Sequence, residues 1–262
     1  MPSRARPAAR ELAPRPAGFE TEEAFAVAGG LGAAAAAELV VVFVDTPIGA
    51  ALHALLALAL VLQWVVGEPA TYRRCLAALA LVPLTRIVSM ALVLPDLEPA
   101  AWGTIAAAFV LVSALLMARA LEMGQAELRW QFPSRWELTA VLSAGAVLVA
   151  LPASALLERL PATGAAVVFL ILAAVTEEVT FRGVIQGTLR QLYGRAAILY
   201  ANLPFVVLYL GTHSLAMILL AAMIGLVAGW STERSRSIWP AIGVHAAFSL
   251  SAGLLWPAVL GI

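Results

Sequence analysis

The sequence predicts an all-α fold, a polytopic transmembrane helical bundle of eight to nine spans. Two observations of composition and one of pattern predict it. The chain is 62% hydrophobic and only 12% charged, whereas a soluble domain is about 45–50% apolar and about 25% charged. Folded around one aqueous core, such a chain would leave large apolar surface exposed. Apolar runs near the ~20 residues needed to cross a bilayer recur along its length, divided by short segments rich in turn residues. The net charge is zero and every cation is arginine, so nothing points to nucleic acid as a partner. The single cysteine, Cys75, excludes an intrachain disulfide and a Cys-rich zinc site. At a span end it reads as a small apolar residue.

Residues 1–26 are polar, with Pro2, Pro7, Pro14 and Pro16 and no apolar period, and are expected to form a flexible cytoplasmic tail. Glu20, Glu22 and Glu23 interrupt where a signal peptide would turn apolar. Candidate spans are 27–44, 48–66, 75–94, 101–118, 138–156, 163–182, 196–212, 215–232 and 238–257. Turn signals such as Asp45-Thr46-Pro47 and Pro95-Asp96-Leu97-Glu98-Pro99 separate them. Segment 120–136 places Trp130, Phe132 and Trp136 beside Glu127, Arg129 and Arg135, which suits an amphipathic helix at the interface or a surface loop. Three parts follow: the tail; residues 27–136, N-terminal helices with that segment; and residues 137–262, a core that holds the ionisable motifs.

The arginines set the expected orientation. With nine alternating spans and the N-terminus inside, Arg4, Arg6, Arg10, Arg15, Arg73, Arg74, Arg119, Arg129, Arg135, Arg190, Arg195, Arg234 and Arg236 fall on the cytoplasmic side. Arg159 alone falls outside, a division that fits the positive-inside rule.

Ionisable groups inside spans are costly and need a reason. Residues 176–183 read Thr-Glu-Glu-Val-Thr-Phe-Arg-Gly at the end of an apolar run. Glu178 and Arg182, four apart, share a helix face and can neutralise each other. Glu177 points about 100° away, lacks that partner and can face a cavity. Tyr209 and His213 are spaced i, i+4 on another helix, His245 and Ser249 on a third. One free carboxylate and two imidazoles then suit activation of water by a general base, with a donor for an oxyanion.

The run Glu177-Glu178-x-x-x-Arg182, the run Tyr209 to His213, and Ser237-Ile238-Trp239-Pro240 followed by His245 resemble the CAAX protease and bacteriocin-processing family. These are glutamic-type intramembrane endopeptidases related to the Ras-converting CAAX protease. The resemblance covers roughly residues 137–256. It implies Glu177 as the base that activates water, His213 as its assistant, and His245 as the group that holds the oxyanion or the water. Glu178, Arg182 and Tyr209 would support them. The family pattern carries Asn four residues after the last His, where this chain has Ser249. Serine offers one rotatable donor instead of an amide fork. Asn202 is a poor substitute, two to three turns from His213. Gly183 and Gly187 form a small-x-x-x-small pair that permits close packing beside the site.

The resemblance implies a metal-free mechanism without cofactor, and a membrane-associated peptide or protein as substrate. The implied location is a bacterial cytoplasmic membrane. A His₂Glu zinc shell is the other arrangement that these three groups permit, although the two imidazoles do not share one helix as in His-Glu-x-x-His. Two further readings stay open: a catalytically inactive membrane scaffold that binds partners, and a transporter with Glu177 as a proton site. Inverted repeats would favour transport, and none is evident. A second polar cluster, Glu38, His53 and Arg86, falls in the first three spans at similar depth. It reads as a buried Glu38–Arg86 pair that fixes helix packing, or as part of an ion or ligand pathway.

Overall fold

The computed structural model describes residues 21–67, 70–91, 96–134, 136–155 and 161–261. Tail residues 1–20, Arg135 and Arg159 lie outside the described residues. Twelve α-helices follow one another there: α1 (Thr21–Phe43), α2 (Thr46–Val66), α3 (Thr71–Leu79), α4 (Leu81–Ala91), α5 (Pro99–Ala120), α6 (Trp136–Ala153), α7 (Gly164–Glu178), α8 (Gln186–Tyr193), α9 (Ala197–Leu208), α10 (Leu215–Ser235), α11 (Trp239–Leu250) and α12 (Trp256–Leu260). No strand occurs among the described residues. α1 begins within the segment read as tail, because 21–26 already carry the helix.

Helix starts follow from the turn residues. Asp45 caps α2 by accepting from the Ile48 amide, with Pro47 in the first turn, where its missing N–H costs nothing. Thr163 and Ser214 accept from Ala166 and Met217 in the same way. Each satisfies an amide that no helical carbonyl can reach.

Eight helical stretches among the described residues are long and apolar enough to cross a membrane. Large apolar side chains such as Leu55, Phe109, Leu148 and Leu219 face outward. Small ones line the contacts: Ala106, Val110, Ala114 and Ala118 are buried along one face of α5. This inside-out pattern is what lipid demands, since close backbone approach replaces the hydrophobic effect between helices. Gly49 shows how close: a Cβ there would lie 2.4 Å from the Val41 side chain.

One stretch, Gly164–Thr212, runs for 49 residues. Straight, at about 1.5 Å per residue, it would far exceed the ~30 Å hydrocarbon core. It folds back at Gly194, whose φ of 57° and ψ of −126° suit glycine alone. α8 before that turn and α9 after it pack against each other. The separate spans expected at 163–182 and 196–212 are thus two arms of one folded run.

The segment after α5 decides between the two expectations, helix and loop, in favour of the loop. Residues 121–134 contain no helix; they form turns, with Glu122 and Arg129 in left-handed conformations (φ 53° each). Their polar groups are satisfied by neighbouring elements instead of by a helical ladder. Arg129 accepts at its carbonyl from the Ile238 amide and donates to the Thr232 carbonyl and the Glu233 carboxylate. Trp239 donates to the Trp130 carbonyl and stacks on Phe132. Burial, with Arg190 adding repulsion, holds the Arg129 pKa below the ordinary arginine value. Arg74 pairs with Glu127 at 3.2 Å, and Arg190 reaches Glu233 at 3.6 Å. The starts of α3 and the loop, the end of α10 and the Gly194 turn therefore share one arginine-rich end of the bundle.

Candidate active site

The backbone is built wide where the carboxylates sit. α7 ends at Glu178, and Val179–Ile185 continues as π-helix, a widened turn common at functional sites. A second π segment, Ser251–Leu255, follows His245 and Ser249. Nothing in the 3.6-residue period of the sequence marks either one.

Arg182 anchors the first segment. It is 1% exposed, and its Nε lies 3.4 Å from Glu178 Oε2, the pair that the spacing predicts. It also donates to the Gly225 carbonyl at 3.0 Å and lies 4.6 Å above the Phe205 ring. One turn on, Gln186 donates to the Gly229 carbonyl at 3.2 Å. Only residues without side chains allow this: a Cβ at Gly225 would sit 1.8 Å from Asn202 Oδ1 and 2.8 Å from an Arg182 nitrogen. Gly225, Gly229 and Gln186 escaped the sequence reading, although the four-residue glycine spacing on α10 was visible.

His245 reaches the same point from α11 and bridges both glutamates. Its Nδ1 is 2.8 Å from Glu178 Oε1, and its Nε2 is 3.6 Å from Glu177 Oε2. A carboxylate only accepts, so an ionised Glu178 fixes the proton on Nδ1 and turns Nε2 toward Glu177. Tyr209 donates to Glu177 Oε2 across a long 3.5 Å contact. Glu177 lies seventeen residues before Gly194 and Tyr209 fifteen after it. Arms of nearly equal length bring them level. Glu177 faces open space, as expected of it, with a side chain 31% exposed, but it has His245 and Tyr209 as neighbours.

Two cavities meet here. One of about 550 Å³ is lined by His245, Ser249, Tyr209 and apolar groups such as Phe169, Leu220 and Phe248. A smaller one of about 240 Å³ holds Glu177 and, again, Tyr209. Glu177, Tyr209, His245 and Ser249 thus border open space.

Not every expected member joins. His213 caps the turn after α9 in a left-handed conformation (φ 52°). It is exposed and packs edge-on against Phe43. No hydrogen bond joins it to Glu177, Glu178 or His245; its neighbours Thr212 and Ser214 line the larger cavity. Among the described residues no three His, Cys, Asp or Glu side chains group as a metal shell. Asn202 stands beside Gly225 and Arg182 and donates to the Ala222 carbonyl; no hydrogen bond joins it to Glu177, His213 or His245. Gly187 does allow close approach, with a would-be Cβ 3.0 Å from the Glu127 carbonyl, while Gly183 has ordinary space. The neighbour is the 121–134 loop, not a helix.

Comparison with families of known proteins gives one match. Residues 159–251 match the Rce1-like family, the type II CAAX prenyl endopeptidases. Comparison with curated proteins gives no match, nor does comparison with solved structures. The Rce1-like segment contains Glu177, Glu178, Arg182, Tyr209, His213, His245 and Ser249. The match covers about a third of the chain, and the eight stretches long and apolar enough to cross a membrane fit a protein built to lie in one.

Proposed function

We propose that the protein is an intramembrane endopeptidase that hydrolyses a peptide bond in a membrane-associated protein or peptide, with Glu177 as the base. The Glu178–His245–Glu177 chain of contacts supports this reading most directly. Glu177 takes a proton from a water in the cavity, and the water oxygen attacks the scissile carbonyl. The negative charge moves to the carbonyl oxygen, where the hydroxyls of Tyr209 or Ser249 can donate, joined by His245 Nε2 when the ring carries a proton on both nitrogens. When the C–N bond breaks, Glu177 returns the proton to the leaving amine. Glu178 and Arg182 hold His245 and the widened turn in place. His213, whose neighbours Thr212 and Ser214 line the larger cavity, assists. The reaction needs no metal and no cofactor.

The arginine-rich end supports an orientation with that end and the N-terminus in the cytoplasm, in a bacterial cytoplasmic membrane. The apolar lining of the larger cavity suits apolar substrate side chains.

The test is cleavage of a library of membrane-anchored peptides by purified protein in liposomes, with and without a chelator. Wild type is expected to cleave regardless of chelator. Glu177→Gln, His245→Ala and His213→Ala should lose about 10²–10⁴-fold, the range for a general acid–base group. Absence of cleavage by a folded wild type would replace this reading with that of a membrane scaffold. Activity unchanged in Glu177→Gln would remove the proposed base.

A further inference from the structure

We propose that Arg86 forms a carboxylate-binding subsite in the cavity that holds Glu177, contributed by N-terminal helices outside the Rce1-like segment. The inference deepens the peptidase reading and rests on it, since the carboxylate belongs to the peptide.

Glu38, His53 and Arg86 come together from three helices. Arg86 lies 2.9 Å from Glu38 Oε1, and His53 Nε2 lies 3.3 Å from Glu38 Oε2. Glu38 and His53 are wholly buried, whereas Arg86 is 19% exposed. The cluster is closed behind and open at the guanidinium. That opening is the 240 Å³ cavity, where Arg86 shares the lining with Glu177, Tyr209, Thr85 and Ser89. Gly211 leaves the space the guanidinium occupies: a Cβ there would lie 2.9 Å from an Arg86 nitrogen.

A packing role accounts for a Glu–Arg pair. It does not account for placing the cationic end in the cavity of the proposed base, nor for a buried Nε without a hydrogen-bond partner. Guanidinium presents five donors in a planar fork matched to a carboxylate, and Glu38 engages its Nη2. A singly charged carboxylate suits the site better than a phosphate, whose double charge would meet Glu177 in the same small cavity. In a peptide that group is the terminal α-carboxylate or an Asp or Glu side chain. Either would fix the register of the chain relative to Glu177, which separates binding orientation from bond cleavage.

The experiment measures binding, not turnover. Full-length Glu177→Gln protein in phosphatidylcholine liposomes is titrated with three fluorescent N-acylated peptides of one length. One ends in a free carboxylate, one in an amide, and one in an amide with a single internal Glu. At least one carboxylate peptide is expected to bind about tenfold or more tightly than the neutral amide, as for a charge-assisted bidentate contact. Whichever does so identifies the source of the carboxylate. Because Arg86→Gln alone strands Glu38, the deciding variant is E38Q with R86Q, which removes both charges. It should bind all three peptides alike, at the level of the neutral one. E38Q alone, which frees Arg86 from its partner, should keep or widen the preference. Equal affinity of the charged and neutral peptides for the Arg86-containing protein overturns the subsite, as does binding of none. Cleavage by wild type, scored separately, tells that result apart from failure of the peptidase reading.

Discussion

Replacing Arg182 with Met tests the frame of the site most directly. The substitution preserves much of the volume and removes three contacts: the pair with Glu178, the bond to the Gly225 carbonyl, and the approach to Phe205. Glu178, with 0% exposure, would then be a buried carboxylate with only His245 beside it. Breaking a buried pair by removing one partner costs about 3–5 kcal/mol. Besides this, the lost hydrogen bond to a backbone carbonyl costs about 1.5–3 kcal/mol, and the buried cation–π contact up to about 2 kcal/mol. The double variant Arg182→Met with Glu178→Gln keeps those two losses and removes the stranded charge. It should therefore be less destabilised than Arg182→Met alone, by about 1–3 kcal/mol of coupling. Reversible unfolding in mixed micelles on titration with denaturing detergent measures all four corners of the cycle. Losses that simply add, with no coupling, would show that Glu178 and Arg182 do not share charge and would remove the pair from the account.

Tyr209→Phe deletes the hydroxyl near Glu177 and should lower kcat about tenfold with little change in stability, an effect of one hydrogen bond; unchanged kcat would remove Tyr209 from the site. Gly225→Ala inserts a Cβ where Asn202 and Arg182 already stand and should destabilise by about 1–3 kcal/mol. Gly145→Ala meets nothing within 4 Å and should be neutral or stabilising by up to about 1 kcal/mol. Thermal unfolding of both variants checks the contrast. Arg86→Leu should destabilise more than the double change with Glu38→Leu, since the single variant leaves a wholly buried carboxylate unpaired; equal losses would argue against pairing.

Much of the fold was legible because lipid imposes a length and a composition. The apolar runs and the break at Asp45-Thr46-Pro47 follow from local rules that need no knowledge of neighbours. The loop 121–134 did not follow. Its amphipathic pattern fits a helix or a loop equally; what decides is that Arg74, Arg190, Ile238 and Trp239 take its carbonyls and α10 takes the Arg129 side chain, and such long-range partners leave no mark in local periodicity. The same limit applied to His213, whose spacing from Tyr209 presumes a continuing helix that in fact ends in a left-handed turn.

For the candidate site, the sequence alone determined which groups are present and that their placement in apolar runs demands pairing. The Glu178–Arg182 pair came with it, because four residues on one helix fix that neighbourhood. Tertiary structure decided the rest. The fold-back at Gly194 brought Tyr209 to Glu177, and the π turn with the close approach of α10 placed Arg182. The crossing of α11 set His245 between two carboxylates. Arg86 entered the same cavity from a helix some ninety residues away in sequence. Contacts between distant helices depend on where backbones can approach, and that is a property of the packed bundle, not of any one span.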